Sequence, residues 1–252
     1  MSAKQQLRRA LHTAGLEPRA VALKRAFEPA HTTQDRRDHE ALATIFAAAL
    51  APDACCIDVG AHTGDVLAEI VRIAPRGHHL GFEPLPALAT ALQKRLPGVD
   101  VRNVALGDAA GTAPFIHVLD RPGWSGLKAR PTPDGDAPRT ETIEVTVERL
   151  DEALPDGYTP TLVKIDVEGA ELGVLRGAHA TLAAHHPLLV FEHGLGSADH
   201  YGTGPGDVHD LLTGLDYRIF DLQGQGPYDR AAFVHIFYTA ARVNFLARSQ
   251  LV

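Results

Sequence analysis

Gly60 and Gly64 close a short turn between an apolar run that contains an acid, Cys55-Cys56-Ile57-Asp58-Val59, and a helical stretch over Val66–Ile73. A buried strand, a glycine turn and a helix in that order make a ligand floor, because ligands of open α/β sheets bind at the carboxyl ends of the strands. Glycine at position 60 lets backbone approach a ligand closely. The spacing is G-x-x-x-G, not the G-x-G-x-x-G that seats a pyrophosphate on a helix N-terminus, and no Lys-Ser or Lys-Thr follows as a phosphate-cradling loop requires. Dinucleotides and nucleoside triphosphates are disfavoured accordingly. A second acid, Glu83 in Gly81-Phe82-Glu83-Pro84, ends the next apolar run 23 residues after Gly60. A carboxylate there can accept hydrogen bonds from both hydroxyls of a ribose, at about 1.5–3 kcal/mol for each charge-assisted bond. The competing reading makes Asp58 a helix cap and Glu83 a surface acid at a strand end.

The elements that must position these residues follow from periodicity. From Cys55 onward, short apolar runs alternate with helical stretches: Cys55–Val59 with Val66–Ile73, His79–Phe82 with Leu85–Leu96, then Val99–Val104. That alternation implies a parallel sheet. It resumes with Thr161–Ile165, a helix over Ala170–Ala184, Leu188–Phe191, a helix over Asp207–Gly214, and late strands near Tyr217–Asp221 and Arg242–Leu246, which makes seven strands in the sheet. Residues 111–160 interrupt the rhythm. Pro114–Leu119 and Thr142–Val147 read as a hairpin insertion around the Pro- and Gly-rich stretch Arg121–Arg139. Residues 1–50 read as a helical flank, with helices near Lys4–Ala14, Pro18–Phe27 and Asp38–Leu50, and residues 51–252 as the main domain.

Composition bounds the partners. The 252 residues are 45% hydrophobic and 22% charged, with 24 Lys plus Arg against 31 Asp plus Glu, a formal charge of -7. No basic run marks a nucleic-acid footprint. The apolar stretch Ala41–Ala51 is far short of the ~20 residues that cross a bilayer. The polar N-terminus lacks a secretory signal, so no membrane is expected and the cytoplasm is the expected address. Adjacent Cys55 and Cys56 suit buried thiols rather than a disulfide framework or a thiolate zinc site.

At this point the chain resembles the FkbM-type methyltransferases, within the class I S-adenosylmethionine-dependent fold. The resemblance rests on Ile57-Asp58-Val59-Gly60-Ala61-His62-Thr63-Gly64, on Phe82-Glu83-Pro84, on Asn103-Val104-Ala105-Leu106-Gly107-Asp108, and above all on Leu162-Val163-Lys164-Ile165-Asp166-Val167-Glu168-Gly169-Ala170-Glu171 with Val174-Leu175-Arg176-Gly177-Ala178. It extends through Pro187 and Phe191-Glu192-His193. It implies a Rossmann-like α/β fold, a mostly parallel seven-stranded sheet whose last strand is antiparallel. It also implies S-adenosyl-L-methionine across the first three strand ends. Asp58 and Gly60 would then face the methionine portion, with His62 at its carboxylate, Glu83 the ribose, and Asn103, Val104 and Ala105 the adenine edge, and Gly64 and Pro84 would also belong to the cofactor-binding set. The family usually has Asn where this chain has His62, which can still donate a hydrogen bond.

The implied reaction is methyl transfer to a hydroxyl of a small molecule or sugar. An in-line displacement of this kind is mainly a positioning task. A hydroxyl acceptor also loses a proton, and Asp166, Glu168 and His193 are the base candidates. Histidine has the better-matched ordinary pKa, near 6.5, whereas Asp166 would need raising by burial or by Glu168. Glu168 and Glu171 have a plainer reading as acids opening a helix. Lys164, in a strand expected to be buried, needs an internal carboxylate partner. No metal site is expected. The loop around Trp124 reads either as a lid over the acceptor or as an anchored segment. A nicotinamide-dependent oxidoreductase and a non-catalytic cofactor-binding module are the alternatives; oligomeric state is not legible.

Overall fold

The computed structural model describes residues 30–129 and 138–250. The chain divides into two units between Thr44 and Ile45, the larger lying after that point. The expected helices over 4–14 and 18–27 lie outside the described residues, and the third is observed as α1, Ala30–Ala49. It begins eight residues before Asp38, where the sequence reading started it.

The larger unit is built on a seven-stranded sheet in the order β3-β2-β1-β7-β8-β10-β9. These strands are β1 Cys56–Val59, β2 Leu80–Phe82, β3 Asp100–Arg102, β7 Leu162–Ile165, β8 Leu188–Glu192, β9 Tyr217–Asp221 and β10 Asn244–Ser249. The first five are parallel, while β10 runs antiparallel to both β8 and β9. β1 and β7 are buried at every position, as strands covered on both faces must be, and so they read as unbroken apolar runs except at Asp58 and Lys164. Helices α2 Asp65–Ile73 and α3 Pro86–Arg95 follow β1 and β2. Proline at the first helical position of α3 costs nothing there, since that N–H has no partner within the helix.

A second sheet, β4-β6-β5, contains the expected hairpin. β5 Gly111–Val118 and β6 Thr140–Glu148 pair antiparallel over eight residues, and β4 Ala105–Leu106 adds in parallel beside Val147 and Glu148. The expected strand over Val99–Val104 is observed only as Asp100–Arg102, and β4 after it belongs to the second sheet. Asn103 turns the chain by donating from its side-chain amide to the Glu83 and Pro84 carbonyls, at 2.9 and 2.8 Å, and the residues after it leave for the second sheet. Phe115, Val145 and Val147 then pack on Leu85 and Ala105, so the hairpin docks directly over the ends of β2 and β3.

Between these sheets and the end of the chain lie α4 Leu150–Ala153, α5 Glu171–Gly177, α6 His179–His185, α7 Pro205–Gly214 and α8 Arg230–Thr239. The single helix expected over Ala170–Ala184 is broken at Ala178 into α5 and α6. α8 was not foreseen. Asp229 caps it by accepting from the Ala232 N–H at 2.8 Å, and its inner face brings Phe233 and Phe237 under β8 and β10. Phe233 meets Phe245 edge-on at 4.9 Å, and Phe245 stacks on Phe191 at 5.6 Å. All three rings are fully buried. Truncation of Phe245 to alanine removes the ring that joins β10 to β8 and α8 and should cost about 3–5 kcal/mol in urea unfolding; a loss under about 1 kcal/mol would show that this cluster does not hold the antiparallel end.

Candidate active site

A cavity of about 260 Å³ lies at the carboxyl ends of β1, β2 and β7, roofed by the insertion. Its floor is the turn after β1. Gly60 has φ +78°, and a Cβ there would overlap the Asp166 carbonyl oxygen, so strand end and turn touch backbone to backbone. His62 follows at φ +47°, a left-handed position that Asn and His tolerate better than most residues, which explains why the one can stand where the other is usual. Its backbone N–H donates to Glu83 Oε2 at 2.8 Å, and its Nε2 is buried without a hydrogen-bond partner among the described residues.

Glu83 is 4% exposed, which rules out the surface-acid reading. Its Oε1 accepts from the Leu85 N–H at 2.9 Å and its Oε2 from His62. A carboxylate has about four acceptor positions, so each oxygen keeps one for a ligand. Burial pushes the Glu83 pKa up, partly offset by the Leu85 and His62 N–H groups.

Asp58 does not cap a helix. It is fully buried and paired with Lys164, whose Nζ lies 3.2 Å from Asp58 Oδ1 and 3.3 Å from Asp166 Oδ2. The triad follows from sheet geometry. Asp58 and Lys164 are registered neighbours on β1 and β7, and Asp166 stands two residues beyond Lys164 on the same face. Burial alone would push Lys164 down, but Asp166 and Asp58 outweigh it and hold the ammonium above its ordinary value. Desolvation pushes Asp58 up against the pull of Lys164.

The Lys-Ile-Asp-Val-Glu-Gly-Ala-Glu run is thus accounted for residue by residue. Lys164 and Asp166 belong to the triad, and Glu168, at φ +57°, reaches the cavity wall from a left-handed position that costs an L-residue of order 1 kcal/mol. Gly169, at φ +110°, passes against the Ser197 carbonyl where a Cβ would collide. Glu171 is 1% exposed, and its Oε1 accepts from the Gly169 and Val167 N–H groups at 2.8 and 3.3 Å, so it braces the turn as the plainer reading expected.

Of the expected residues, Asp58, Gly60, His62, Glu83, Pro84, Val104, Ala105, Asp166 and Glu168 line the cavity. Three do not. Gly64 starts α2 and packs on Leu92; Asn103 braces the β2 end; His193 is 1% exposed, between Phe233 and Phe237. Strand parity explains the last correction. Ile165 pairs with Phe191, so the neighbour of Asp166 is Glu192, and His193 points to the other face. Glu192, which sequence reasoning missed, is held well above the ordinary glutamate range by burial and by the nearby charge of Asp166.

The roof comes from Phe115, Pro122, Gly123, Ser125 and Leu127. It is tied down: Ser125 Oγ accepts from the Val118 N–H at 3.0 Å, Gly126 bridges Ile116, and the Lys128 N–H donates to the Tyr201 hydroxyl at 3.0 Å. Trp124 lies beneath the Arg121 guanidinium, 4.6 Å from the ring centre, and does not line the cavity. Among the described residues no cluster of His, Cys, Asp or Glu is placed to hold a metal ion, and no helix is long and apolar enough to cross a membrane.

The family model described as "Methyltransferase FkbM domain" matches residues 58–219. The chain belongs to the FkbM methyltransferase family. It is 30% identical over 152 residues to "Methyltransferase sdnD" of Sordaria araneosa, covering 48% of this chain and 59% of that one. It is also 30% identical over 145 residues to "Methyltransferase 1" of Beauveria bassiana, covering 50% and 58%. This FkbM chain thus spans under two thirds of the length of these curated relatives. A solved structure, the methyltransferase FkbM from Methylobacillus flagellatus, matches with a TM-score of 0.49 at 19% identity, covering 79% of this chain and 44% of that one.

Removing the Lys164 charge tests the triad. Lys164→Met leaves the fully buried Asp58 carboxylate without its partner and should destabilise the protein by about 3–5 kcal/mol. Without the ammonium, Asp58 keeps its proton in the folded state more tightly than in the unfolded one. The penalty should therefore be small in acid and grow as pH rises above 3.8, the ordinary aspartate value. Urea titrations across pH would show this; a pH-independent loss would mean that packing, not charge, is what Lys164 supplies.

Proposed function

We propose that this FkbM domain is an S-adenosyl-L-methionine-dependent O-methyltransferase acting on a hydroxyl of a small molecule or sugar. The observation that carries the reading is Glu83, a buried carboxylate with one oxygen position left free on each side of the cavity floor, as the two hydroxyls of a ribose require. The rest of the cavity fits the same ligand. Gly60 allows close approach, His62 Nε2 is a buried polar atom without a partner for a ligand carboxylate, and Val104 and Ala105 supply an apolar slot for the base.

When bound, S-adenosyl-L-methionine supplies an electrophilic methyl group on a sulfonium. The chain's own residues do the remainder. Glu83 fixes the nucleoside, and the roof from Pro122 to Leu127 excludes water. Asp166, at the cavity wall and pinned on one side by Lys164, is placed to accept the acceptor's hydroxyl proton, with Glu168 beside it. His193, buried outside the cavity, takes no proton from the acceptor in this reading. The hydroxyl acceptor rests on the family likeness, with an acid-lined wall suited to accepting hydrogen bonds as its structural support. The missing G-x-G-x-x-G speaks against a nicotinamide cofactor.

Calorimetry with S-adenosylhomocysteine tests the cofactor. Glu83→Ala should weaken binding by about 10²-fold or more through loss of two charge-assisted hydrogen bonds. No binding to the wild-type protein would refute the reading. Because Glu83 is raised above 4.5, the ordinary glutamate value, its carboxylate becomes protonated at a higher pH than a free side chain would. Affinity should accordingly decline on acidification before pH 4.5 is reached, and Glu83→Gln should flatten that limb; an unchanged limb in the variant would assign the titration to another group.

A further inference from the structure

Tyr201 touches two walls of the cavity without lining it. One 3-10 turn over Ala198–Tyr201 follows β8, and Ser197 and Ala198 at its start are buried. The turn is braced from within: the Gly196 N–H donates to Asp199 Oδ1 at 2.6 Å, and Ser197 Oγ donates to the Gly194 carbonyl at 3.1 Å. From this support Tyr201 reaches in two directions. Its ring lies against Gly169, where a Cβ would come within 2.8 Å of Tyr201 Cδ2 and 2.5 Å of the Ser197 carbonyl oxygen, so it backs the turn that brings Glu168 to the cavity wall. Its hydroxyl meets the roof, accepting from the Lys128 N–H at 3.0 Å. A Cβ on Gly126 would stand 3.1 Å from that hydroxyl oxygen and 3.8 Å from the Glu168 carbonyl oxygen. Lys128 Nζ reaches the same turn, 5.2 Å from the centre of the Tyr201 ring and 3.4 Å from the His200 carbonyl oxygen.

The fastenings of the roof are of two kinds. Ser125 with Val118, and Gly126 with Ile116, tie it to β5, within its own hairpin. Lys128 ties it to a segment that leaves the main sheet at the end of β8. A roof that swung away with its hairpin would keep the first kind and lose the second. Because the roof and Glu83 line one cavity, a ligand seated on Glu83 is covered by the segment that Tyr201 holds. We propose that Tyr201 is a positioning residue for the bound cofactor, its hydroxyl holding the roof at Gly126–Lys128 against the Glu168 turn and so setting the lifetime of the nucleoside beneath. This rests on the S-adenosyl-L-methionine reading for its ligand and adds to it a residue outside the cavity. Tyr201 acts through Gly126, Lys128 and Gly169.

The chain's one tryptophan, Trp124, stands in the roof and reports on it. Acrylamide quenching of its fluorescence reads the roof in the empty protein, and the dissociation rate of S-adenosylhomocysteine from the immobilised protein, by surface plasmon resonance, reads the ligand's lifetime. Tyr201→Phe keeps the ring on Gly169 and removes the acceptor for the Lys128 N–H. It should make Trp124 more quenchable and speed dissociation about three- to tenfold, the range that one neutral hydrogen bond accounts for. Gly126→Ala strains the same contact from the roof side, with a methyl 3.1 Å from the Tyr201 hydroxyl, and should raise the same rate; it carries the test alone if Tyr201→Phe does not fold. In the double variant the two effects on the rate should not multiply, since both act at one contact. Unchanged quenching or an unchanged rate in Tyr201→Phe, or effects that multiply in the double variant, would overturn the inference while leaving the cofactor reading intact. Failure of S-adenosylhomocysteine to bind the wild-type protein would instead remove the cofactor reading, and this inference with it.

Discussion

The buried ammonium of Lys164, set between Asp58 and Asp166, is the interaction on which the rest of this FkbM domain depends. Taking the Asp58 carboxylate and the Lys164 ammonium out of water costs several kcal/mol for each ion, a cost that neighbouring apolar residues would not incur. What the arrangement yields is charge at a defined place. Two carboxylates and one ammonium leave the cavity floor net negative, on the two strands with the least freedom to move. Because β1 and β7 are hydrogen-bonded to parallel neighbours on both sides, the triad cannot relax without breaking the centre of the sheet.

The second sheet gives that floor a roof. In an open parallel sheet the strand ends face solvent, and a charged floor there would be screened. Here the hairpin β5–β6 leans on Leu85 and Ala105, and the segment after β5 crosses back over the Gly60 turn. Ser125, Gly126 and Lys128 fasten it at three separate points. A low-dielectric enclosure strengthens every electrostatic interaction inside it, which makes the protonation of Glu83 sensitive to what occupies the space.

Much of this was legible in the residues. Alternating apolar runs and helices specified the parallel strands, and the hairpin was visible in the period-two pattern of Ile143, Val145 and Val147. The acids at strand ends marked the cavity because a charged residue in an otherwise apolar run needs either a partner or a ligand. Lys164 needed a carboxylate for the same reason, and the structure supplies two. What was not legible depended on quantities a single strand does not reveal. Whether His193 or Glu192 faces Asp166 turns on the register between β7 and β8, and one residue of shift exchanges them. The premature end of β3 turns on Asn103 reaching two carbonyls just past the end of β2, a contact that outweighs local strand preference. α8 lacks a strong amphipathic signal, because its neighbours under the sheet are aromatic and its inner face is defined by them.

A crystal structure of the protein with S-adenosyl-L-methionine tests the account at its centre. The account predicts both ribose hydroxyls on Glu83, one to each oxygen, with Lys164 still bridging Asp58 and Asp166 and the sulfonium facing that negative floor. A nucleoside seated elsewhere, or Lys164 swung out of the triad to meet the ligand's carboxylate, would contradict it.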